Sequence, residues 1–125
     1  MTTAILAALG VVAALRAGGT VNEALVLKTE SGRLQAEASD QWAYYQAKGI
    51  KSSVQETSRA VYLAAGKTPP ANVEQTIQRD AAEQKAIEQA ARDKERERDE
   101  KSKDADRLIE HHHQFANSVA FIQPL

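Results

Sequence analysis

"LAAGKTPPANVEQ", residues 63–75, decides how this chain folds. No proline precedes it, and Gly66 stands where a helix can end in a left-handed residue. Pro69 and Pro70 then remove two backbone donors and stop further helix. Downstream, Asn72 is a candidate cap with Gln75 three residues on, the spacing of a capping box. Two helices joined by so short a tip return antiparallel. The expected fold is therefore all-α, a long antiparallel, coiled-coil-like helical hairpin.

Working outward, Leu25, Leu34, Ala38, Trp42, Tyr45, Ile50, Val54, Val61 and Ala65 recur near helical spacing. Gly32 and Gly49 each weaken that helix by about 1 kcal/mol against alanine without ending it. On the other side Val73, Ile77, Ala81, Ile87 and Ala91 mark a second apolar stripe. The spacing predicts an N-terminal hydrophobic helix over 1–27, a first stalk helix over 28–66 and a tip at 67–71. A charged second stalk helix over 72–110 and an apolar segment over 111–125 complete it.

Both ends of the hairpin are apolar. The run from Ala4 to Leu15 is shorter than the roughly 20 residues that span a bilayer. It lacks the basic lead of a secretory signal. Extended through Leu27 it becomes long enough, with Arg16 and Glu23 as its charged exceptions. Ile5, Leu6, Leu9, Val12 and Leu15 are the expected lipid contacts of the first end, and Phe115, Val119, Phe121 and Ile122 those of the second. The rival reading is a buried or oligomer-facing helix. Gly10, Ala14 and Gly18 recur every four residues, a ridge that permits close helix contact in a membrane. Arg16, Lys28 and Arg33 follow the apolar run and no basic residue precedes it, which predicts a cytoplasmic stalk.

Composition narrows the function classes. Net charge is −1, so no general field recruits nucleic acid. The absence of cysteine removes disulfides, thiolate catalysis and cysteine zinc sites. Residues 92–107 carry seven basic and seven acidic side chains. Glu88–Arg92, Glu97–Lys101 and Asp99–Lys103 are spaced i,i+4 with the acid first, the favourable order for a solvated helix. No nucleophile–base arrangement and no phosphate loop is present, so no catalytic residue and no cofactor is expected.

"SDQWAYYQAK", residues 39–48, holds three of the rings in a chain with one Trp, three Tyr and two Phe. Trp42 and Tyr45, three apart, share a helix face and fit a buried stripe; Tyr44 with Lys48, four on, fits a surface contact. These four residues are the expected packing and interaction site. Around this stretch the chain resembles an uncharacterised family of bacterial membrane proteins, domain of unknown function 4337. The likeness rests on residues 22–27, 39–51 and 110–116, the "NEALVL", "SDQWAYYQAKGIK" and "EHHHQFA" segments. It implies an N-terminal hydrophobic helix and a charged second helix, but no activity. Members of the family continue into C-terminal membrane spans, whereas this sequence reads "FIQPL", which leaves a full second span open.

"EHHHQ", residues 110–114, supports a sharper alternative. Glu110 and His113 have the i,i+3 spacing of di-iron four-helix bundles, in which other helices supply single glutamates. Glu23 or Glu30 on the first helix would lie near that level, and two hairpins would complete the metal site. The plain reading is a histidine cluster at the headgroup level. The functional expectation is a non-enzymatic, membrane-associated hairpin acting by helix packing, as a homo-oligomer or an accessory subunit of a larger membrane complex. The alternatives are the di-metal carboxylate bundle and a soluble coiled-coil adaptor.

Overall fold

The computed structural model describes residues 2–122, with side chains through Ser118. It contains two helices, α1 (Thr2–Ala64) and α2 (Ala71–Ile122), and no strand among the described residues. They pack on one another as an all-α hairpin.

The chain turns where the sequence runs out of helix. Gly66 has φ of +71°, a conformation that costs a residue with a Cβ about 1–2 kcal/mol. That conformation lets the Gly66 N–H reach the Leu63 carbonyl at 3.0 Å and the Lys67 N–H reach the Tyr62 carbonyl at 2.9 Å. Together these are the paired bonds of a Schellman C-cap. Residues 65–70 are non-helical, and α2 begins at Ala71, with the Val73 N–H donating to the Pro70 carbonyl at 3.0 Å. Asn72 therefore lies inside the first turn and does not cap it. Pro70 opens the helix one residue earlier because its fixed φ suits helix entry and it has no N–H to leave unpaired.

The chain divides into two compact units, Leu34–Arg96 and Met1–Arg33 with Glu97–Leu125. In the first of these, the α1 residues facing α2 run Leu34, Ala38, Gln41, Tyr45, Lys48, Ser52, in alternating steps of four and three. On α2 the residues turned toward α1 run Val73, Ile77, Asp80, Gln84, Ile87 and Ala91, in the same alternation. That is the heptad geometry of a coiled coil. Its contents are unusual, since Asp80 and Ser52 are buried between aliphatic layers and Leu34 is the one large side chain wholly buried among the described residues.

The second unit has a seam of the same spacing. Ala13, Ala17, Thr20, Ala24, Leu27 and Ser31 on α1 face Lys101, Ala105, Leu108, His112 and Phe115 on α2. Ion pairs flank it: Lys28 with Asp106 at 2.9 Å and Lys101 with Glu30 at 3.5 Å. Small residues let the two backbones approach, and charged ends close over the top.

This seam corrects the apolar stripe expected from the sequence. Leu25, Ile50, Val54 and Val61 are exposed, and so is Ala81 on α2. Heptad steps from Leu34 and Ala38 lead to Tyr45, Lys48 and Ser52, about 200° of helix away from Ile50 and Val54 at two residues' offset. Near-helical spacing alone merged two stripes on different faces of α1.

Candidate functional site: an aromatic and ionic clamp

Within the Leu34–Arg96 unit, the aromatic stretch of α1 meets a charged stretch of α2. The Trp42 indole N–H donates to the Glu95 carboxylate, and the Arg92 guanidinium sits 5.7 Å from the centre of the Trp42 ring. The indole is thus held at its polar edge by an anion and at its face by a cation, the two contacts that its charge distribution favours. Tyr45 packs edge-on against Trp42, with centroids 5.5 Å apart and planes at 77°. Helical spacing is the cause, since residues three apart stand one above the other on one face.

One turn further along α1, Lys48 joins three partners. Its ammonium pairs with Glu83, lies 3.7 Å from Asp80 and stands 5.7 Å from the centre of the Tyr44 ring. Asp80 is only 3% exposed at its side chain and Lys48 13%. A buried carboxylate needs a cation close by, and Lys48 is the one that α1 brings to it. Arg79 approaches Asp80 from the solvent side at 3.9 Å. Beside them the Gln84 amide donates to the Tyr45 carbonyl at 3.2 Å. It reaches over Gly49, where an added Cβ would lie 2.8 Å from the Gln84 nitrogen.

The hydrogen bond between them raises Lys48 above its ordinary pKa of 10.5 and lowers Glu83 below its ordinary 4.5, with coulombic attraction adding to both. The sign of the linkage follows. A depressed Glu83 stabilises the fold above pH 4.5, and this is lost as pH falls through its folded value. A raised Lys48 stabilises it below pH 10.5, and this is lost as pH rises through its folded value. In denaturant titrations, Glu83→Gln is expected to be less stable than the native chain at pH 7. That gap should close as pH falls below 4.5; a gap that persists at pH 2.5 would show that Glu83 acts through something other than its charge.

The structure thus brings Trp42 to Tyr45 and Lys48 to Tyr44, and joins both pairs to α2. Sequence reasoning missed the α2 half: Asp80, Glu83, Gln84, Arg92 and Glu95. A signal for Asp80 was present, because the three–four steps from Val73 and Ile77 land on it. Ile5, Leu6, Leu9, Val12 and Leu15 are exposed, while Phe115 is half-buried. The side chains of Val119, Phe121 and Ile122 lie outside the described residues.

The residues considered for a metal are not gathered. Glu23, Glu110 and His113 are exposed, and the Glu30 carboxylate is engaged by Lys101. No group of three His, Asp or Glu side chains with metal-binding geometry occurs among the described residues. The half-buried histidine is His112, whose Nδ1 is buried without a hydrogen-bond partner. Its ring lies 6.1 Å from that of His113. Consecutive helical residues diverge by about 100°, which keeps such neighbours from converging on one ion.

The chain matches the model of one protein family, described as a domain of unknown function (DUF4337), over residues 1–123. Neither the curated proteins nor the solved structures contain a match to it.

Proposed function

The chain belongs to the family described as a domain of unknown function (DUF4337), and from that premise we propose that it is a non-enzymatic, membrane-anchored helical hairpin that acts by helix packing. Its anchor is the N-terminal part of α1, and its working surface is the stalk. One observation carries this reading. α1 is long and apolar enough near its N-terminus to cross a bilayer, and the large apolar side chains of that stretch are exposed rather than covered by the rest of the chain. Ile5, Leu9 and Leu15 are 60%, 55% and 72% exposed. In water such a surface is strongly unfavourable, whereas lipid covers it without a partner protein. Arg16, Lys28 and Arg33 on one side of the segment support a cytoplasmic stalk on a bacterial inner membrane.

The clamp fits a structural role. Its rings and charges satisfy one another across the helix pair and leave no aligned nucleophile and base. The stalk therefore offers partners a stiff, register-locked surface, either to further copies or to a larger membrane complex.

Flotation with liposomes tests the anchor. The full chain is expected to float and to stay with vesicles at alkaline pH. Leu9→Arg places a charge in the middle of the apolar run, which costs about 3 kcal/mol of insertion. Floated protein should drop about a hundredfold relative to free protein. A native chain that stays at the bottom of the gradient would overturn the reading and return the α1 end to a protein partner.

A further inference from the structure

Within the unit formed by Met1–Arg33 and Glu97–Leu125, α1 and α2 border a recess of about 200 Å³, and we infer that it binds the phosphate group of an anionic phospholipid headgroup. This rests on the membrane anchor proposed above and gives the end of that anchor a ligand. From α1 the recess takes Arg16 and Thr20, and from α2 His111 and His112. Leu108 and Phe115, both half-buried, add hydrocarbon to the same lining. N–H donors and apolar carbon side by side suit a molecule that is itself divided into headgroup and chains.

Three observations point to that ligand. First, the donors are unused. Arg16, His111 and His112 make no hydrogen bond or ion pair with a described side chain. The Thr20 hydroxyl already donates to the Arg16 carbonyl at 3.0 Å, which leaves the guanidinium and the two imidazoles to bind an anion. The His112 Nδ1 is buried with no acceptor beside it, so the proton of the neutral ring belongs on Nε2, where it can be donated. Second, the charge in the recess has one sign. No described carboxylate lines it. Glu23 and Glu110, the nearest acids along each helix, are exposed and outside the lining, and Asp106 is held by Lys28 at 2.9 Å. A zwitterionic headgroup would bring an ammonium that nothing in the recess can pair, which favours a net anionic lipid.

Third, the recess stands where the anchor ends. The apolar run from Ala4 to Leu15 is followed at once by Arg16, whose stem is long enough to carry its charge toward the headgroups. A cation at that depth is costly unless an anion meets it. The described part of the chain supplies none, and the cytoplasmic leaflet supplies anionic phosphates in quantity.

Native mass spectrometry of the full chain in detergent, with phosphatidylglycerol or phosphatidylcholine of matched chains added, reads retained lipid directly. The native chain is expected to retain phosphatidylglycerol about tenfold more than phosphatidylcholine, the effect of a charge-assisted contact. Arg16→Gln should abolish the preference, and Arg16→Lys should recover part of it, as a point charge without the guanidinium fork. Lys67→Gln, which removes an exposed cation at the tip, should leave it intact. Helix content by circular dichroism should be unchanged in all three, because both side chains are exposed. Equal retention of the two lipids, or equal losses in Arg16→Gln and Lys67→Gln, would overturn the site and leave only general attraction between charges. Inorganic phosphate separates lipid from free ion. Displacement of phosphatidylglycerol by millimolar phosphate, but not by sodium chloride of the same ionic strength, would overturn the lipid as the source. Flotation of the same proteins separates the site from the anchor. A chain that floats without lipid preference keeps its anchor and loses the site; one that prefers phosphatidylglycerol without floating does the reverse.

Discussion

Leu34→Ala is expected to lower the unfolding free energy by about 3 kcal/mol, in the range for a leucine truncated in a core. Leu34 is 1% exposed, and its neighbours in the seam are small or polar. Ala38, the next residue of the seam on α1, cannot swing into the space it would leave, because a methyl group has no rotamer to change. Leu63→Ala, at an exposed position near the tip, is the matched control and should stay within about 0.5 kcal/mol of the native chain. Urea unfolding followed by circular dichroism gives both numbers. Similar losses at the two sites would mean that the helix pair collapses around Leu34 or that this seam is not the one used in solution.

Trp42→Ala is expected to cost about 2 kcal/mol, less than for a fully buried indole because Trp42 is half-buried. The loss combines ring packing on Tyr45, the Arg92 contact and the bond to Glu95. Trp42→Phe keeps a ring for Tyr45 and Arg92 but gives Glu95 no donor, and should cost about 1 kcal/mol. If phenylalanine proves as damaging as alanine, the Glu95 bond holds the clamp and the ring contacts add little. Leu34 and Trp42 stand about 12 Å apart along α1, so their effects should add. A combined loss of about 5 kcal/mol approaches the whole stability of many small domains, and the double variant should be largely unfolded.

The clamp also explains how a seam so poor in large side chains holds one register. An alanine-rich helix pair can slide by a heptad at little cost in packing. Sliding α2 by seven residues along α1 would set the buried Asp80 against Gln41 or Gln55 in place of Lys48. A carboxylate buried without its cation is far costlier than a lost methyl contact. The aromatic pair acts in the same direction, since Trp42 has its anion and cation only where Glu95 and Arg92 stand. Packing supplies the attraction and polar pairing chooses the alignment.

What the sequence by itself determined is local. Gly66, Pro69 and Pro70 end one helix and start another, whatever the helices later touch, because backbone conformation is set residue by residue. The pairing of Trp42 with Tyr45 and of Tyr44 with Lys48 is likewise local, being a matter of three and four residues on one helix. The tertiary structure decided which face of α1 turns inward. Two stripes compete for that place, and Ile50, Val54 and Val61 are more hydrophobic than the Tyr45, Lys48 and Ser52 set that won. α2 settles the contest, since its own seam contains Asp80, and only the face bearing Lys48 satisfies that carboxylate. The more apolar stripe is turned outward because a buried charge constrains the pairing more strongly than an exposed valine does.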